Sequence, residues 1–393
     1  MPTESLRSAA PPFGAFRIAL AGLIALAVAM GIGRFAFTPI LPMMQDDAGL
    51  TLKAAGWLAA ANYLGYLLGA LCAARVPRLW AIRGGLVLIA AVTFGMGVTH
   101  LFALWLLLRL AAGIASAWVL VHVSAWALEE LMTRARPQAQ GSVFAGVGVG
   151  IAGAGLLCLV LMNADADSTQ TWQTFGAVSA LLTAAIWPAF QGDAHAAAGR
   201  RVRPARTRLS WNADRVRLAL CYGAFGFGYI IPATFLPAMA HRYISSPAVF
   251  GWAWPVFGLA AALSTWAAAR WLHAVNTRKL WAASYVLMAI GVILPVLWPG
   301  LAAILIAALL VGGTFMVDTM LGLREARAVA GDQATAFIAA VTAAFAVAQV
   351  IGPLVVSGVA HLHGGFRAAL AAAALVLVVA AIALWHSSTA TTV

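Results

Sequence analysis

The sequence predicts an all-α membrane protein of twelve transmembrane helices in two pseudo-symmetric six-helix bundles. Three observations lead there. The 393 residues are 63% hydrophobic and only 9% charged, against about 45–50% and about 25% in a soluble domain. The apolar residues fall into twelve runs, most of them near the about 20 residues that cross a hydrocarbon core about 30 Å thick. A pattern closing the first run also returns 195 positions later, with Gly31, Gly33, Leu41, Pro42 and Met44 recurring as Gly226, Gly228, Leu236, Pro237 and Met239.

Runs and their polar breaks give six spans near 16–44, 54–74, 84–100, 102–128, 139–162 and 173–191. Six more lie near 215–240, 248–272, 279–298, 301–323, 334–360 and 366–386. The chain thus divides into an N-terminal bundle (1–191), a basic linker (192–214) and a C-terminal bundle (215–393). The linker holds Arg200, Arg201, Arg203, Arg206 and Arg208. Net charge is +12, but the basic residues sit at the ends of apolar runs, where they orient a membrane protein. No nucleic-acid partner is expected, and a basic loop beside anionic lipid accounts for the linker.

The loops on the linker side carry most of the Lys and Arg, while the opposite loops carry Lys53, Arg242 and Arg367 together with Asp46, Asp47, Asp165 and Asp167. That bias assigns both termini to the cytoplasm of a multi-pass protein in the bacterial inner membrane. The first apolar run is longer than the 7–15-residue core of a cleavable signal. Trp57, Trp80, Trp105, Trp172, Trp211, Trp252, Trp281 and Trp298 lie near span ends and fit interfacial belts. Cys72, Cys158 and Cys221 form no CxxC and read as small buried apolar residues.

The offset of 195 holds through the second span, where Gly56-Trp57 matches Gly251-Trp252, Arg75 matches Arg270 and Arg83 matches Arg278. Six crossings return the chain to its starting side, so the repeat is parallel, related by an axis along the membrane normal.

These features resemble the major facilitator superfamily. The GxGRFxxTPxLPxM stretch over Gly31–Met44 resembles that of its YbfB/YjiJ-type group. Leu104–Gly113 (LWLLLRLAAG) resembles the superfamily's helix-four motif, with Arg109 in the place of an arginine often linked to proton coupling. Gly146–Gly155 (GVGVGIAGAG) loosely resembles the helix-five motif of export-type members, without its proline. The loop after the second span lacks the family's usual acid: Gly69 is followed by Leu71, Ala73, Ala74 and Arg75. The resemblance implies alternating-access transport, with helices one, four, seven and ten lining a central cavity.

The candidate site follows from the charges inside spans. Arg34, Arg109 and Asp318 are the interior charges, and each costs about 2.5–3.5 kcal/mol at a helix centre. An arginine forks onto carboxylate or phosphate, so Arg34 and Arg109 are read as substrate-binding; the alternative is a brace on backbone carbonyls. Tyr229 replaces Arg34 across the repeat, and Asn62 and Tyr66 join it as candidate lining residues. Asp318, the only acid within a span, and His122 are read as proton-coupling residues. Trp118, His122 and Trp126 form a stripe at helical spacing, read as packing for the tryptophans.

Gly148–Gly153 matches GxGxxG, but no strand precedes it, so close helix packing is the reading taken. His361-Leu362-His363 has no acid or Cys nearby, and no metal or cofactor is expected. The expected partners are a small-molecule substrate, protons and the bilayer, and a monomer is expected. The sequence thus reads as a proton-coupled symport of a small organic anion, and not as an enzyme. Proton-driven export of a hydrophobic or cationic compound is the alternative within transport. A membrane-embedded sensor or enzyme is the alternative outside it.

Overall fold

In the computed structural model the described residues are 14–134, 140–190, 209–241, 244, 246, 251–271, 276–362 and 364–389. They form twelve apolar helices and no strand: α1 (Ala15–Asp47), α2 (Leu52–Arg75), α3 (Trp80–Met96), α4 (Phe102–Thr133), α5 (Gln140–Asn163), α6 (Ser168–Phe190), α7 (Ala213–His241), α8 (Ala253–Trp271), α9 (Thr277–Leu297), α10 (Leu301–Ala330), α11 (Ala334–Val359) and α12 (Gly365–Thr389). Ten are long and apolar enough to cross a membrane, while Trp80–Met96 and Ala253–Ala268 are shorter apolar helices. Positions 192–208 of the expected linker lie outside the described residues.

The helix ends follow local chemistry. Thr51 accepts from the Ala54 amide at the start of α2, and Asn276 accepts from the Arg278 and Lys279 amides at the start of α9. Asp167 and Gln170 form a capping box at α6, satisfying donors that a helix start leaves free.

The two halves pack by the same scheme. The pairs α1–α5, α2–α4, α3–α4 and α3–α6 are repeated as α7–α11, α8–α10, α9–α10 and α9–α12. The correspondence reaches single residues. Gly31 meets the Gly150 backbone, and its repeat mate Gly226 meets that of Phe345, 195 positions on from Gly150. The halves join along α1–α7, α2–α11 and α5–α8.

Small residues make this possible, because nothing but packing and hydrogen bonding drives apolar helices together in lipid. On α5, Gly146 and Gly150 lie against Leu23 and Ala27 of α1, while Gly148 and Gly155 lie against Ala262 and Pro255 of α8. The glycine run is therefore a two-sided packing strip. Trp118 donates to the sulfur of Cys72, and Trp126 packs on Phe190 at 4.7 Å, so the tryptophans of that stripe also pack. The belt expectation is corrected in part. Trp57, Trp80, Trp211, Trp252 and Trp298 are exposed, but Trp105, Trp172 and Trp281 are buried between helices.

Several hydrogen bonds across the seam lie toward the face opposite the α6–α7 connection, here the far face. Thr38 donates to the Ala233 carbonyl at 3.0 Å, and these two are repeat mates. The Tyr63 and Thr234 hydroxyls meet at 3.0 Å, Ser357 donates to the Lys53 carbonyl at 2.9 Å, and His241 lies 3.4 Å from Asp46. On the linker face, ion pairs among the described residues brace each half. Arg78 forks onto Glu129, and Arg278 holds Asp214 and Glu325.

A side chain at Gly113 would place Cβ 2.0 Å from the Asn62 carbonyl oxygen, whereas nothing lies within 4 Å of a Cβ at Gly153. Gly113→Leu is expected to destabilise by at least the roughly 1–3 kcal/mol of overpacking. Gly153→Leu is expected to be near neutral, and thermal unfolding of the two purified variants makes the comparison.

Candidate functional site

The site begins with a break in α1. A regular helix gives each carbonyl a donor four residues on. Residues Ala27–Arg34 are instead wound as a π-helix, and the Phe35 amide reaches back to Met30. The Thr38 amide then bonds Phe35 at 3.1 Å, leaving the Arg34 carbonyl without its helical donor. Pro39 and Pro42 add no amide hydrogens further along. The break comes where Gly33 lies close to Ser116 and Ile89.

Arg109 of α4 answers it. Its Nη2 donates to the Arg34 carbonyl at 3.0 Å and its Nη1 to the Gly33 carbonyl at 3.4 Å. Its guanidinium carbon lies 5.1 Å from the centre of the Phe37 ring. Asn62 of α2 donates its amide to the Gly33 carbonyl at 3.3 Å and the Arg109 carbonyl at 2.9 Å. The Arg109 Nη donors and the Asn62 amide nitrogen are thus turned to backbone and tie three helices at one point, while Arg109 Nε and Asn62 Oδ1 make no hydrogen bond.

Arg34 is held differently. It is only 3% exposed, and among the described residues no carboxylate pairs with it or with Arg109. Its guanidinium lies over Tyr66, 3.9 Å from the ring centre, with Tyr63 at 5.5 Å. Nη2 donates to Gln349 Oε1 of α11 at 2.5 Å, and Nε has no hydrogen-bond partner. The amide of Gln349 in turn donates to the Tyr229 hydroxyl. Tyr229 stacks on Phe315 at 5.4 Å and Phe345 at 5.8 Å. A buried cation thus stands on an aromatic face with neutral hydrogen-bond partners, and its charge is not cancelled by a protein group. Cation–π contact offsets about 2 kcal/mol of desolvation in such a setting. An arriving anion would offset more.

Of the predicted residues, the structure brings together Arg34, Arg109, Asn62, Tyr66 and Tyr229. Gln349, which links Arg34 to its repeat mate Tyr229, was not among them. Its signal was an amide in the middle of the otherwise apolar α11 run.

Asp318 and His122 lie apart from this group. Asp318 is fully buried in the C-terminal half, alongside Ser284, Tyr222 and Tyr285, and neither carboxylate oxygen makes a well-formed hydrogen bond. His122 is half-buried in the N-terminal half, its Nε2 3.0 Å from the Ala73 carbonyl. No group of three or more His, Cys, Asp or Glu among the described residues is placed to hold a metal.

A family model described as the uncharacterised MFS-type transporter YbfB matches residues 26–385. The chain belongs to the major facilitator superfamily. A curated member, the uncharacterized MFS-type transporter YceJ of Bacillus subtilis (strain 168), is 32% identical over 106 residues, a match spanning 25% of this chain and 26% of YceJ. Among solved superfamily-like structures, a bacterial homologue of the human lysosomal transporter Spinster, inward-facing and occupied, superposes with a TM-score of 0.68 at 14% identity, over 95% of this chain and 96% of the other. The nucleoside transporter NupG superposes with a TM-score of 0.68 at 12% identity, over 95% and 98%. At these identities the likeness is one of fold. The family model, and not this likeness, places the chain in a family of membrane transporters.

Arg109→Leu would leave the Gly33 and Arg34 carbonyls short of donors, at about 1–3 kcal/mol for each buried group orphaned. Arg34→Leu orphans no backbone group and one side-chain acceptor, Gln349 Oε1, a loss offset by removal of a buried charge that has no carboxylate partner among the described residues. Thermal unfolding is therefore expected to fall for Arg109→Leu and to stay near wild type for Arg34→Leu.

Proposed function

We propose that this protein is a secondary active transporter that moves a small organic anion across the bacterial inner membrane by alternating access, coupled to protons. The observation that carries the reading is Arg34: buried, positively charged, on the seam between the halves and without a carboxylate partner among the described residues. A guanidinium holds its proton under ordinary conditions and offers parallel donors to a carboxylate or phosphate. Gln349 and Tyr229 supply neutral hydrogen bonding on the opposite wall, and Tyr66 supplies the aromatic floor. Arg109 and Asn62 act in this reading as positioning residues that hold α1 in its broken form.

The seam supports the cycle. Contacts such as Thr38–Ala233, Ser357–Lys53 and His241–Asp46 close the far face. With both termini cytoplasmic, as the basic loops predict, the far face is the outer one and these contacts hold it shut. Outward opening requires these contacts to part, and Arg34–Gln349 lies at the pivot. Asp318 carries the proton, with His122 as a second titratable group; each sits beside helices that must move when the bundles rock. Export of a cationic compound is disfavoured because such a substrate would meet an uncancelled guanidinium.

With purified protein, an anionic substrate at 100 times its Kd stabilises by about 2.7 kcal/mol. A thermal-shift screen of organic carboxylates and phosphates is expected to find compounds that raise Tm for wild type and not for Arg34→Ala, which still folds. Equal shifts in both proteins would remove Arg34 from the site.

In proteoliposomes, Asp318→Asn is expected to take up substrate without dependence on an imposed pH gradient, since the amide carries no exchangeable charge. A gradient dependence like that of wild type would rule the carboxyl out as the coupling group.

A further inference from the structure

Each half carries a groove on its outer surface, and the two are repeat mates. Between α3 and α6 a groove of about 430 Å³ is lined by Val87, Ala90, Thr183, Ala184 and Trp187. Between α9 and α12 a groove of about 550 Å³ is lined by Ala282, Ala283, Val286, Val378, Ile382 and Trp385. The offset of 195 maps Val87 onto Ala282, Thr183 onto Val378 and Trp187 onto Ile382. The helices that form the grooves take no part in the α1–α7, α2–α11 and α5–α8 contacts that join the halves. The substrate site described above has no residue in either groove.

The linker-face end of each groove carries a cation over a tryptophan. Arg83 lies 4.5 Å from the Trp187 ring and donates to the Trp187 carbonyl at 3.2 Å. Its Nε is buried without a hydrogen-bond partner. Lys279 lies 5.8 Å from the Trp385 ring. The repeat mate of Arg83 is Arg278, but Arg278 is taken by Asp214 and Glu325 at 2.6 Å, and the neighbouring lysine stands at the groove instead. In the N-terminal half Arg78 is likewise taken by Glu129. Neither Arg83 nor Lys279 forms an ion pair among the described residues. Thus in each half a nearby arginine is held by carboxylates while another cation stands at the linker-face end of an apolar groove.

An apolar groove facing lipid with a single positive charge at its end has the charge and shape of a phospholipid turned around. Acyl chains match the small and branched residues of the floor, and the charge is complementary to a headgroup that is net negative. A zwitterionic headgroup lacks that net charge. From this we infer that the α3–α6 and α9–α12 grooves are twin sites for an anionic phospholipid of the leaflet on the linker face, its headgroup on Arg83 in one half and on Lys279 in the other. The two sites lie outside the substrate path and on the flanks of the two bundles, so their lipids ride with each half.

The probe is delipidated full-length protein incubated with equal amounts of phosphatidylglycerol and phosphatidylethanolamine, with bound lipid read by native mass spectrometry. Wild type is expected to retain up to two phosphatidylglycerol molecules in preference to phosphatidylethanolamine. Lys279→Gln and Arg83→Gln are each expected to lose one, with affinity at that site lowered about fivefold, as for one basic residue beside an anionic lipid. Lys279 is exposed, so its variant keeps the test open if Arg83→Gln fails to fold. Ala184→Phe and Ala283→Phe, which fill the grooves and leave the charges in place, are each expected to lose one as well. Equal retention of the two lipids, or charge variants that bind like wild type, would overturn the sites. Loss in the charge variants with none in the groove-filling pair would overturn the groove as the acyl-chain seat.

Discussion

The rest of the structure depends on a failure of regular helix geometry at Gly33–Arg34. A helix in lipid satisfies its own backbone, and a carbonyl released there has no water to turn to. The π-wound segment and the turn that follows release such groups in the middle of α1. The protein meets that cost with the guanidinium of Arg109 and the amide of Asn62. The Arg109 charge therefore has a structural task on these carbonyls. Once α1, α2 and α4 are tied at that point, the Arg34 side chain has a fixed origin, and its guanidinium projects across the seam instead of back into its own bundle.

Close helix approach is what lets so few polar groups suffice. Gly65 and Gly113 bring α2 and α4 so near that a Cβ at either would lie 2.0 Å from a backbone oxygen of the partner helix. That contact sets Asn62 within reach of α1. The same logic recurs at Gly31 and Gly226, where α1 and α7 touch α5 and α11. The glycines of the repeated motif are thus retained in both halves for packing, while the residue three beyond the first glycine differs, Arg34 in one half and Tyr229 in the other. Duplication fixed the scaffold, and divergence at one position made the site asymmetric.

How far this was legible in the sequence depends on what each residue answers to. Hydropathy places spans because the bilayer imposes a length, and all twelve predicted spans coincide with helices whose ends differ from them by a few residues, the α10 helix running on to Ala330. The repeat was legible because Gly, Pro and Trp are costly to move. Interior charges marked Arg34, Arg109 and Asp318, since charge in a span needs a reason. Their roles were not legible. Whether an arginine faces a lumen or a carbonyl depends on which backbone groups the neighbouring helix has released, and the π-winding of α1 leaves no compositional trace. Gln349 escaped for a related reason: an uncharged amide is an ordinary interhelical hydrogen-bonding group in apolar helices, and only its place between two repeat mates makes it distinctive. Buried tryptophans such as Trp172 and Trp281 misled because a ring near a span end serves packing and interface alike.

Gln349 also bears on how the duplicated chain would work in the proposed two-state cycle. An axis of pseudo-symmetry runs where Thr38 meets its own mate Ala233 and Asp46 meets His241. Contacts on such an axis can form and part without shearing either bundle, because equivalent positions approach from both sides. An axis along the membrane normal maps each state onto itself, so symmetry about it leaves any preference between states to the contacts that differ between them. Here Gln349 accepts from Arg34 and donates to Tyr229, so the link is polar in one direction. In the proposed cycle a ligand that competes for the guanidinium would free the amide and loosen the link between the halves, and a differential interaction free energy between two states is what lets binding shift a conformational equilibrium.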